Sequence, residues 1–282
     1  MIDLHTHSTA SDGGLSPAAL VREAAHRGIK ALALTDHDTV SGLQEAQDAA
    51  ALHGVTFVRG IEIEIDWPHQ GEFHLLGLCL GGLDAAFHDA LNTLACWREE
   101  RNLMLIERMR EAGIEADLDE VRAGANTTSL GRPHFAAFLV KRNIVRSIEQ
   151  AFNRYLRKGR PLYVPKKGLP FDEAVPLIHG AGGLAVLAHP LSLYLSWGRL
   201  PDFLADLKTR GLDGIEAWHP SAKAAACARL ESIARGLGLR VTAGSDFHGE
   251  LRHNRALGFT AGGLPIADRF FADLAEGRQL GS

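Results

Sequence analysis

Histidines and carboxylates that could bind metal ions follow short apolar runs along this chain of 282 residues. The first run, residues 1–4, leads directly into His5-Thr6-His7. Two histidines at positions i and i+2 of an extended segment point to the same side and can share one ion. Asp12 follows shortly afterwards in a Ser-Asp-Gly-Gly turn. This spacing predicts a metal site at the end of the first strand.

Further candidate ligands accompany later apolar runs in the same way. These runs cover residues 31–35, 55–58, 73–80, 184–188 and 240–244. Any one motif is explained readily by chance, but a chance origin has to account for all of them together. The candidate metal ligands are His5, His7, Asp12, His37, Glu62, His74, His189, Asp246 and His248.

The types of these ligands indicate the chemistry. Imidazoles and carboxylates without thiolates suit Mn, Zn, Fe or Co, and nine donors are too many for one tetrahedral ion. Two or three divalent ions are therefore expected. Three such ions would carry six positive charges against three negative charges from Asp12, Glu62 and Asp246, which favours a phosphate dianion as substrate. Because multimetal sites activate bound water and stabilise both oxygens of an in-line displacement, phosphoester hydrolysis is the predicted reaction.

Helical segments alternate with the apolar runs. Ser16 is a predicted N-cap, Pro17 occupies the first helical position and Gly28 ends the helix. Similar helical patterns occupy residues 41–53, 171–181, 200–210 and 221–237. This alternation predicts a mostly parallel sheet. Because the candidate ligands come from strand ends along the whole chain, these ends must converge, as they do in an α/β barrel of about seven strands.

Residues 85–168 interrupt this rhythm and predict an inserted helical subdomain. The barrel would then consist of residues 1–84 and 169–282. Residues 98–170 contain 15 Lys and Arg against 9 Asp and Glu, a balance of +6, which leaves −10 for the remainder of a chain of net charge −4. A local basic excess of this kind favours an anionic partner.

The insertion contains the main candidates for substrate contact and catalysis, in the segment Gly131-Arg132-Pro133-His134. Arg132 could clamp a phosphate through two guanidinium nitrogens, with a surface salt bridge as the alternative. His134 could hydrogen-bond the phosphoryl group or protonate the leaving oxygen, with a structural role at a helix start as the alternative. Weaker substrate-binding candidates are Asn126, Arg98, Arg101, Asn102, Lys166, Lys167, Arg199 and His219. Residues 215–219 form another strand end, and metal ligation by His219 or Glu216 is left open.

Composition excludes several other protein classes. Cys79, Cys96 and Cys227 are scattered without a Cys-x-x-Cys pair, so neither a disulfide framework nor a thiolate zinc site is predicted. There is no run of 18 apolar residues, and the chain starts with a strand pattern instead of a signal sequence. A cytoplasmic protein without a membrane span is expected, and no protein partner is indicated.

Taken together, the motifs resemble those of the PHP (polymerase and histidinol phosphatase) family. The resemblance rests on His5-x-His7, Asp12, Thr35-Asp36-His37, Gly60-x-Glu62, His74, Ala188-His189-Pro190 and Ser245-Asp246-x-His248, which occur in the family's order. It implies a distorted (β/α)7 barrel with three metal ions, often manganese. It assigns one ion to His5, His7, Glu62 and Asp246, a second to Glu62, His74 and His189, and a third to Asp12, His37 and His248. Glu62 would bridge the first two.

The insertion with its Arg132-Pro133-His134 segment resembles bacterial PHP phosphoesterases that act on nucleoside 3′,5′-bisphosphates and RNA 5′ ends. This implies removal of the 3′-phosphate from a nucleoside 3′,5′-bisphosphate. A 5′-3′ exonuclease acting on short RNA or DNA with the same metals is the nearest alternative. Histidinol phosphate, a cationic substrate, does not account for the basic insertion, and a deaminase-type amidohydrolase does not account for Asp12 and Glu62. A metal-binding module that assists a nuclease or polymerase without catalysis is the alternative from another class.

Overall fold

A single seven-stranded sheet forms the centre of this computed structural model, which describes residues 1–125, 127, 129–249 and 255–276. Its strands, in spatial as in chain order, are β1 Ile2–Asp3, β2 Ala31–Leu34, β3 Thr56–Ile65, β4 Phe73–Leu78, β5 Leu184–Leu187, β6 Gly214–Trp218 and β7 Arg240–Ala243. All neighbours are parallel except β4, which is antiparallel to β3 and β5. Backbone hydrogen bonds from Leu4 to Ala243 and from Asp246 to His5 connect the two ends of the sheet. The predicted α/β barrel is confirmed.

Strands β2 and β5 form where the sequence has short, uniformly apolar runs. Every residue of β2 and of β5 is buried. Parallel strands are covered on both faces, so they select apolar residues at successive positions instead of at alternate ones. This explains why these runs could be recognised in the sequence.

Helices cover the outside of the sheet. They are α1 Pro17–His26, α2 Leu43–His53, α7 Phe171–Gly180, α8 Leu200–Thr209, α9 Ala224–Gly236 and α10 Arg269–Ala275. The start of α1 is as predicted: Pro17 is its first residue, and the Ser16 hydroxyl accepts a hydrogen bond of 3.2 Å from the Ala19 backbone. A short hairpin of β8 Phe259–Thr260 and β9 Leu264–Pro265 lies near the C-terminal end of the described chain. None of the helices in the described ranges has the combined length and apolar character needed to span a bilayer.

The segment between β4 and α7 is helical, without a strand in its described residues. It contains α3 Ala85–Glu111, α4 Leu118–Ala123, α5 Arg132–Lys141 and α6 Ile148–Ala151, followed by one π-helical turn at Phe152–Leu156. The long helix α3 contributes to two hydrophobic cores. Phe87 and Leu94 pack into the barrel core, whereas Leu105 and Met109 pack into a separate core with Phe135. The division into a barrel of residues 1–84 and 169–282 and an insertion of residues 85–168 stays a prediction.

Strand β3 is longer than the apolar run at residues 55–58 suggested. It continues to Ile65 because its second half forms a hairpin with β4, in which Glu62 lies opposite Leu76 and Glu64 opposite His74. Glu62 therefore lies inside a strand, and the expectation that it follows a strand end is wrong. It nevertheless lies level with His37, just beyond the end of β2, because these two residues form a parallel bridge.

Candidate metal centre

The carboxylate of Glu62 lies at the centre of a histidine cluster. Its Oε1 is 2.9 Å from His74 Nδ1 and 2.9 Å from His189 Nε2. Its Oε2 is 3.0 Å from His37 Nδ1, 3.3 Å from His7 Nε2 and 3.4 Å from His5 Nε2. The histidines around this carboxylate are His5, His7, His37, His74 and His189. One carboxylate thus faces imidazoles from four strands or strand ends, and its role as a bridging ligand stays a prediction.

The first histidine pair lies at the end of β1. His5 Nε2 and His7 Nε2 are 3.1 Å apart, and Asp246 Oδ1 is 3.6 Å from the first and 3.2 Å from the second. The ligand atoms of these three residues all lie within 4.8 Å of one another, so they could hold one ion. Both histidines are completely buried.

Two further groups of potential ligands adjoin this one. The first contains His7, Asp12, His37 and His248, with Asp12 Oδ1 at 3.3 Å from His248 Nε2 and 3.8 Å from His37 Nε2. The second contains His37, Glu62 and His74. Because His7 and His37 each belong to two groups, the distribution of ligands among ions that the family resemblance implies stays a prediction.

Unusual backbone conformations present these side chains. Asp38, His189 and Asp246 have φ angles of 53°, 29° and 49°, in the left-handed region that residues with a Cβ atom rarely adopt. Such conformations persist only where the surroundings enforce them, and they concentrate at functional sites. Gly244 allows the close approach of β7 to β1, because a Cβ atom at this position would lie 2.3 Å from the Cβ of His5. The strand ends therefore converge at some cost in backbone strain.

Neighbouring imidazoles favour the ionised form of two carboxylates of the centre, Glu62 and Asp12. Burial alone would raise the pKa of Glu62, but the imidazoles of His37, His74 and His5 hold it well below its usual range. Burial likewise opposes ionisation of Asp12, but neighbouring imidazoles keep its pKa well below the usual range. Conversely, burial would lower the pKa of His5, but nearby carboxylates raise it to about 10. The buried negative charge therefore attracts cations, either protons or metal ions.

Comparison with known proteins identifies the family. A family model described as the PHP domain matches residues 3–129. The chain is 34% identical over 271 residues to a 5′-3′ exoribonuclease of Haemophilus influenzae, covering 95% of this chain and 98% of that protein. It is also 34% identical over 274 residues to a 3′,5′-nucleoside bisphosphate phosphatase of Chromobacterium violaceum, covering 97% and 96%. The chain belongs to the PHP family.

The family resemblance predicted from the motifs is thereby confirmed. A solved structure agrees with the PHP fold: an amidohydrolase from Chromobacterium violaceum, with sulfate bound and no metal, has a TM-score of 0.85 and 32% identity to this chain over 96% of both chains. The coverage includes the helical insertion as well as the barrel. The likeness to this solved structure therefore extends over nearly the whole chain.

Glu216, for which the sequence left metal ligation open, supports this PHP centre through hydrogen bonds. Its Oε1 is 3.0 Å from His5 Nδ1, and its Oε2 accepts a hydrogen bond of 2.9 Å from the His189 backbone. Burial disfavours its charge, but the interactions with His5 and His219 lower its pKa to about 2. Its place in the strand pattern at residues 215–219 was the available sequence signal, but its contact with His5 joins positions 211 residues apart in the chain.

Two more buried aspartates fix the strand ends around the PHP centre. Asp3 accepts backbone hydrogen bonds from Ser245 at 2.9 Å and Gly258 at 2.8 Å. Asp36 accepts hydrogen bonds of 2.6 Å from the hydroxyls of both Ser8 and Ser11. Burial raises the pKa of each carboxyl to about 6 despite these hydrogen bonds. Neither was a candidate ligand in the sequence: Asp3 lies between Ile2 and Leu4 in the first apolar run, and Asp36 was noted only as part of the Thr35-Asp36-His37 motif.

His219 lies at the edge of the centre, as its strand-end position suggested. Its Nε2 is 3.2 Å from Asp246 Oδ2, the oxygen that also forms an ion pair with Arg255. Neither His219 nor Glu216 belongs to the ligand groups found among the described residues. His219 instead contacts the carboxylate of a candidate ligand.

The basic residues proposed for substrate contact are paired with carboxylates near the centre. Arg132 forms an ion pair with Glu72, and Lys166 forms one with Glu64, which is itself 3.0 Å from His74. Arg98 pairs with Asp38 in the same manner. These pairs leave the insertion's cations close to the metal-binding side chains.

The remaining candidates differ in their surroundings. The His134 Nδ1 accepts a hydrogen bond of 2.9 Å from the Gly131 backbone, so this residue does stabilise the start of α5. Arg101 is buried on α3 beside Asn102, whose amide donates to the Leu130 carbonyl at 3.2 Å. Lys167 is exposed and lies 3.2 Å from Glu100, Arg199 is exposed before α8, and Asn126 lies outside the described residues. Substrate contact by these residues stays a prediction.

Proposed function

We propose that this PHP protein is a metal-dependent phosphoesterase that removes the 3′-phosphate from nucleoside 3′,5′-bisphosphates, giving a nucleoside 5′-phosphate and phosphate. The central observation is the Glu62 carboxylate, which is surrounded by histidine nitrogens at hydrogen-bonding distances. The similarity to the bisphosphate phosphatase of Chromobacterium violaceum along nearly the whole chain supports the choice of substrate.

We propose three divalent ions, with manganese as the first candidate and zinc, iron or cobalt as alternatives. The donors fit such ions in type, because they combine imidazoles with carboxylates and include no thiolate. They also fit in geometry: Glu62 Oε2 is buried, and within the described part of the chain it makes no hydrogen bond of proper geometry. Buried polar atoms of this kind need another partner, and a metal ion would supply it. Bound divalent ions would provide an activated water and stabilise charge on the phosphoryl oxygens.

The residues of the insertion would bind and orient the phosphoryl group. Arg132 presents a planar guanidinium suited to two phosphate oxygens, and it would exchange Glu72 for the substrate on binding. His134 accepts a backbone hydrogen bond at Nδ1, which places the proton of its neutral ring on Nε2. Burial lowers its pKa, so it is mainly neutral at pH 7. We therefore assign it the role of donating a hydrogen bond to a phosphoryl oxygen, in preference to that of a general acid.

A 5′-3′ exonuclease acting on short RNA or DNA is the second candidate function. The similarity to the exoribonuclease of Haemophilus influenzae favours it, as does the basic insertion. The name amidohydrolase, given to the similar solved structure, suggests C–N bond hydrolysis instead. The ligand group that joins Asp12, His37 and His248 to His7 adds three ligands beyond the His-x-His pair, and for this reason we favour phosphoester hydrolysis. A cytoplasmic location and the lack of a protein partner remain predictions from the sequence.

The test is metal-dependent phosphate release from a panel of substrates. The panel contains nucleoside 3′,5′-bisphosphates, nucleoside monophosphates, histidinol phosphate and a 5′-phosphorylated oligoribonucleotide, each with manganese or with chelator. We expect the bisphosphates to have the highest kcat/KM. Stepwise release of mononucleotides from the oligomer at comparable efficiency would favour the exonuclease. Inactivity toward every substrate with manganese would refute phosphoester hydrolysis and leave the non-catalytic metal-binding module.

A further inference from the structure

A groove of about 550 Å³ lies between the first half of α3 and the loop that follows β2. We call it the α3 groove; its lining includes Val40, Leu91, Asn92, Ala95, Arg98 and Leu130. It also includes Ala10, two residues before Asp12, and Asp38, directly after His37. Residues that line the groove are thus close in sequence to two candidate metal ligands, Asp12 and His37. Leu130 directly precedes the Gly131-Arg132 segment.

The walls of the groove are held to the metal centre. Asp38 Oδ1 accepts a hydrogen bond of 2.8 Å from the Glu64 backbone in β3, which fixes the loop after β2 to the strand of Glu62. The other carboxylate oxygen of Asp38 pairs with Arg98 of α3, which fixes the helix to the same loop. A ligand in the α3 groove therefore meets preformed walls whose position relative to the metal centre is set by ion pairs and hydrogen bonds.

The charge of the groove argues against a nucleic-acid strand. Its charged lining residues are Asp38, Arg98 and Glu99, a balance of −1 with neutral histidine, and Arg98 is already paired. A groove that follows a phosphodiester backbone needs an excess of cations. Among the described residues that line the groove there is also no Phe, Tyr or Trp on which successive bases could stack.

The lining does suit a single uncharged base with its ribose. Val40, Leu91 and Leu130 offer apolar contacts, and Asn92 offers an amide for hydrogen bonds to a base or ribose. The volume lies within the range of about 300–1,000 Å³ that small-molecule sites occupy. We propose that the α3 groove binds the nucleoside part of a mononucleotide while its phosphate lies at the metal centre. This inference rests on the proposed function and would account for a preference for mononucleotides over strands.

The experiment compares two tryptophan substitutions at adjacent exposed positions of α3. Ala95→Trp introduces a large side chain into the groove, whereas Cys96→Trp adds the same side chain one residue along, where it does not line the groove. Calorimetry with manganese measures the binding of adenosine 5′-phosphate, cytidine 5′-phosphate and inorganic phosphate to wild type and both variants. Because the introduced indole ring would occupy the nucleoside volume, we expect Ala95→Trp to weaken nucleotide binding at least about tenfold relative to phosphate binding. We expect Cys96→Trp to bind both nucleotides like the wild type.

The possible outcomes test the groove assignment separately from the proposed function. Equal weakening of nucleotide and phosphate binding in Ala95→Trp, or no weakening of either, would overturn the assignment of the groove. A loss of nucleotide affinity in Cys96→Trp equal to that in Ala95→Trp would overturn the assignment as well. If an oligoribonucleotide loses as much affinity as the mononucleotides, the groove holds a strand and the proposal is wrong. If wild type releases no phosphate from any ester, the proposed function fails, but the binding comparison still decides whether the groove takes a nucleoside.

Discussion

Replacing Glu216 with glutamine tests whether this residue orients the metal-binding histidines. The carboxylate has two buried partners, His5 Nδ1 at 3.0 Å and the His189 backbone N–H at 2.9 Å. His5 directs its other nitrogen, Nε2, toward His7, Glu62 and Asp246. For Nε2 to offer a lone pair to an ion, the ring proton must lie on Nδ1 and be donated to Glu216.

Glutamine cannot satisfy both partners. If its carbonyl oxygen accepts from the His189 backbone, its NH2 group faces His5 Nδ1 and moves the ring proton to Nε2, where it blocks the lone pair. If the amide is reversed, its NH2 group meets the His189 N–H, and two donors face each other in a buried site. Loss of such an orienting group costs about 10- to 100-fold in metal affinity, or about 1.4–2.7 kcal/mol.

The assay is calorimetric titration of metal-stripped protein with Mn²⁺ and with Zn²⁺. Glu173→Gln, on the exposed face of α7, is the matched control and should bind like the wild type. Circular dichroism establishes that Glu216→Gln is folded. Wild-type affinity for both ions in the folded variant would refute the tautomer argument and leave Glu216 with a packing role only.

Three further predictions concern the centre, the long helix and the surface. Glu62→Ala removes the carboxylate that contacts the histidine cluster and should abolish metal-dependent phosphate release; near-wild-type release with saturating metal would contradict a bridging role. Phe87→Ala, in the barrel core, should lower the unfolding free energy by about 3–5 kcal/mol in urea titrations, and Leu103→Ala, half exposed on the same helix, by far less. Glu231 is hydrogen-bonded to Arg269, which lowers its pKa, so Glu231→Gln should lower Tm at pH 7. That difference should vanish as the pH falls below about 4 and through the folded-state pKa of Glu231; a Tm difference independent of pH would exclude a charge effect.

The barrel could be predicted because parallel strands select an obvious pattern. The runs at residues 31–35 and 184–188 are apolar at almost every position, and their carboxyl ends meet at one side of a barrel. It follows that polar residues just beyond such runs come together, as His37 and His189 do around Glu62. The prediction used only topology and did not require any knowledge of side-chain contacts.

The limits of β3 could not be predicted in this way. The sequence from Ile61 to Ile65 alternates isoleucine with glutamate, and the structure buries the isoleucines in the barrel core. Glu62 and Glu64 therefore project to the opposite face, where one meets His37 and both meet His74. Alternation of this kind indicates an antiparallel partner. The pairing with β4 that creates it depends on a hairpin whose register short apolar runs do not reveal.

The ion pairs between the insertion and the barrel were beyond prediction for a different reason. The sequence shows that Arg132 and Lys166 are basic, but the carboxylates that they meet, Glu72 and Glu64, belong to the β3–β4 hairpin. Glu64 also contacts His74, so its negative charge is shared between a histidine of the centre and a lysine of the insertion. A buried carboxylate needs such a cation, because leaving it unpaired costs several kcal/mol. Arg98, Arg132 and Lys166 therefore neutralise carboxylates of the barrel, and in the proposed function a phosphate bound by Arg132 has to displace Glu72.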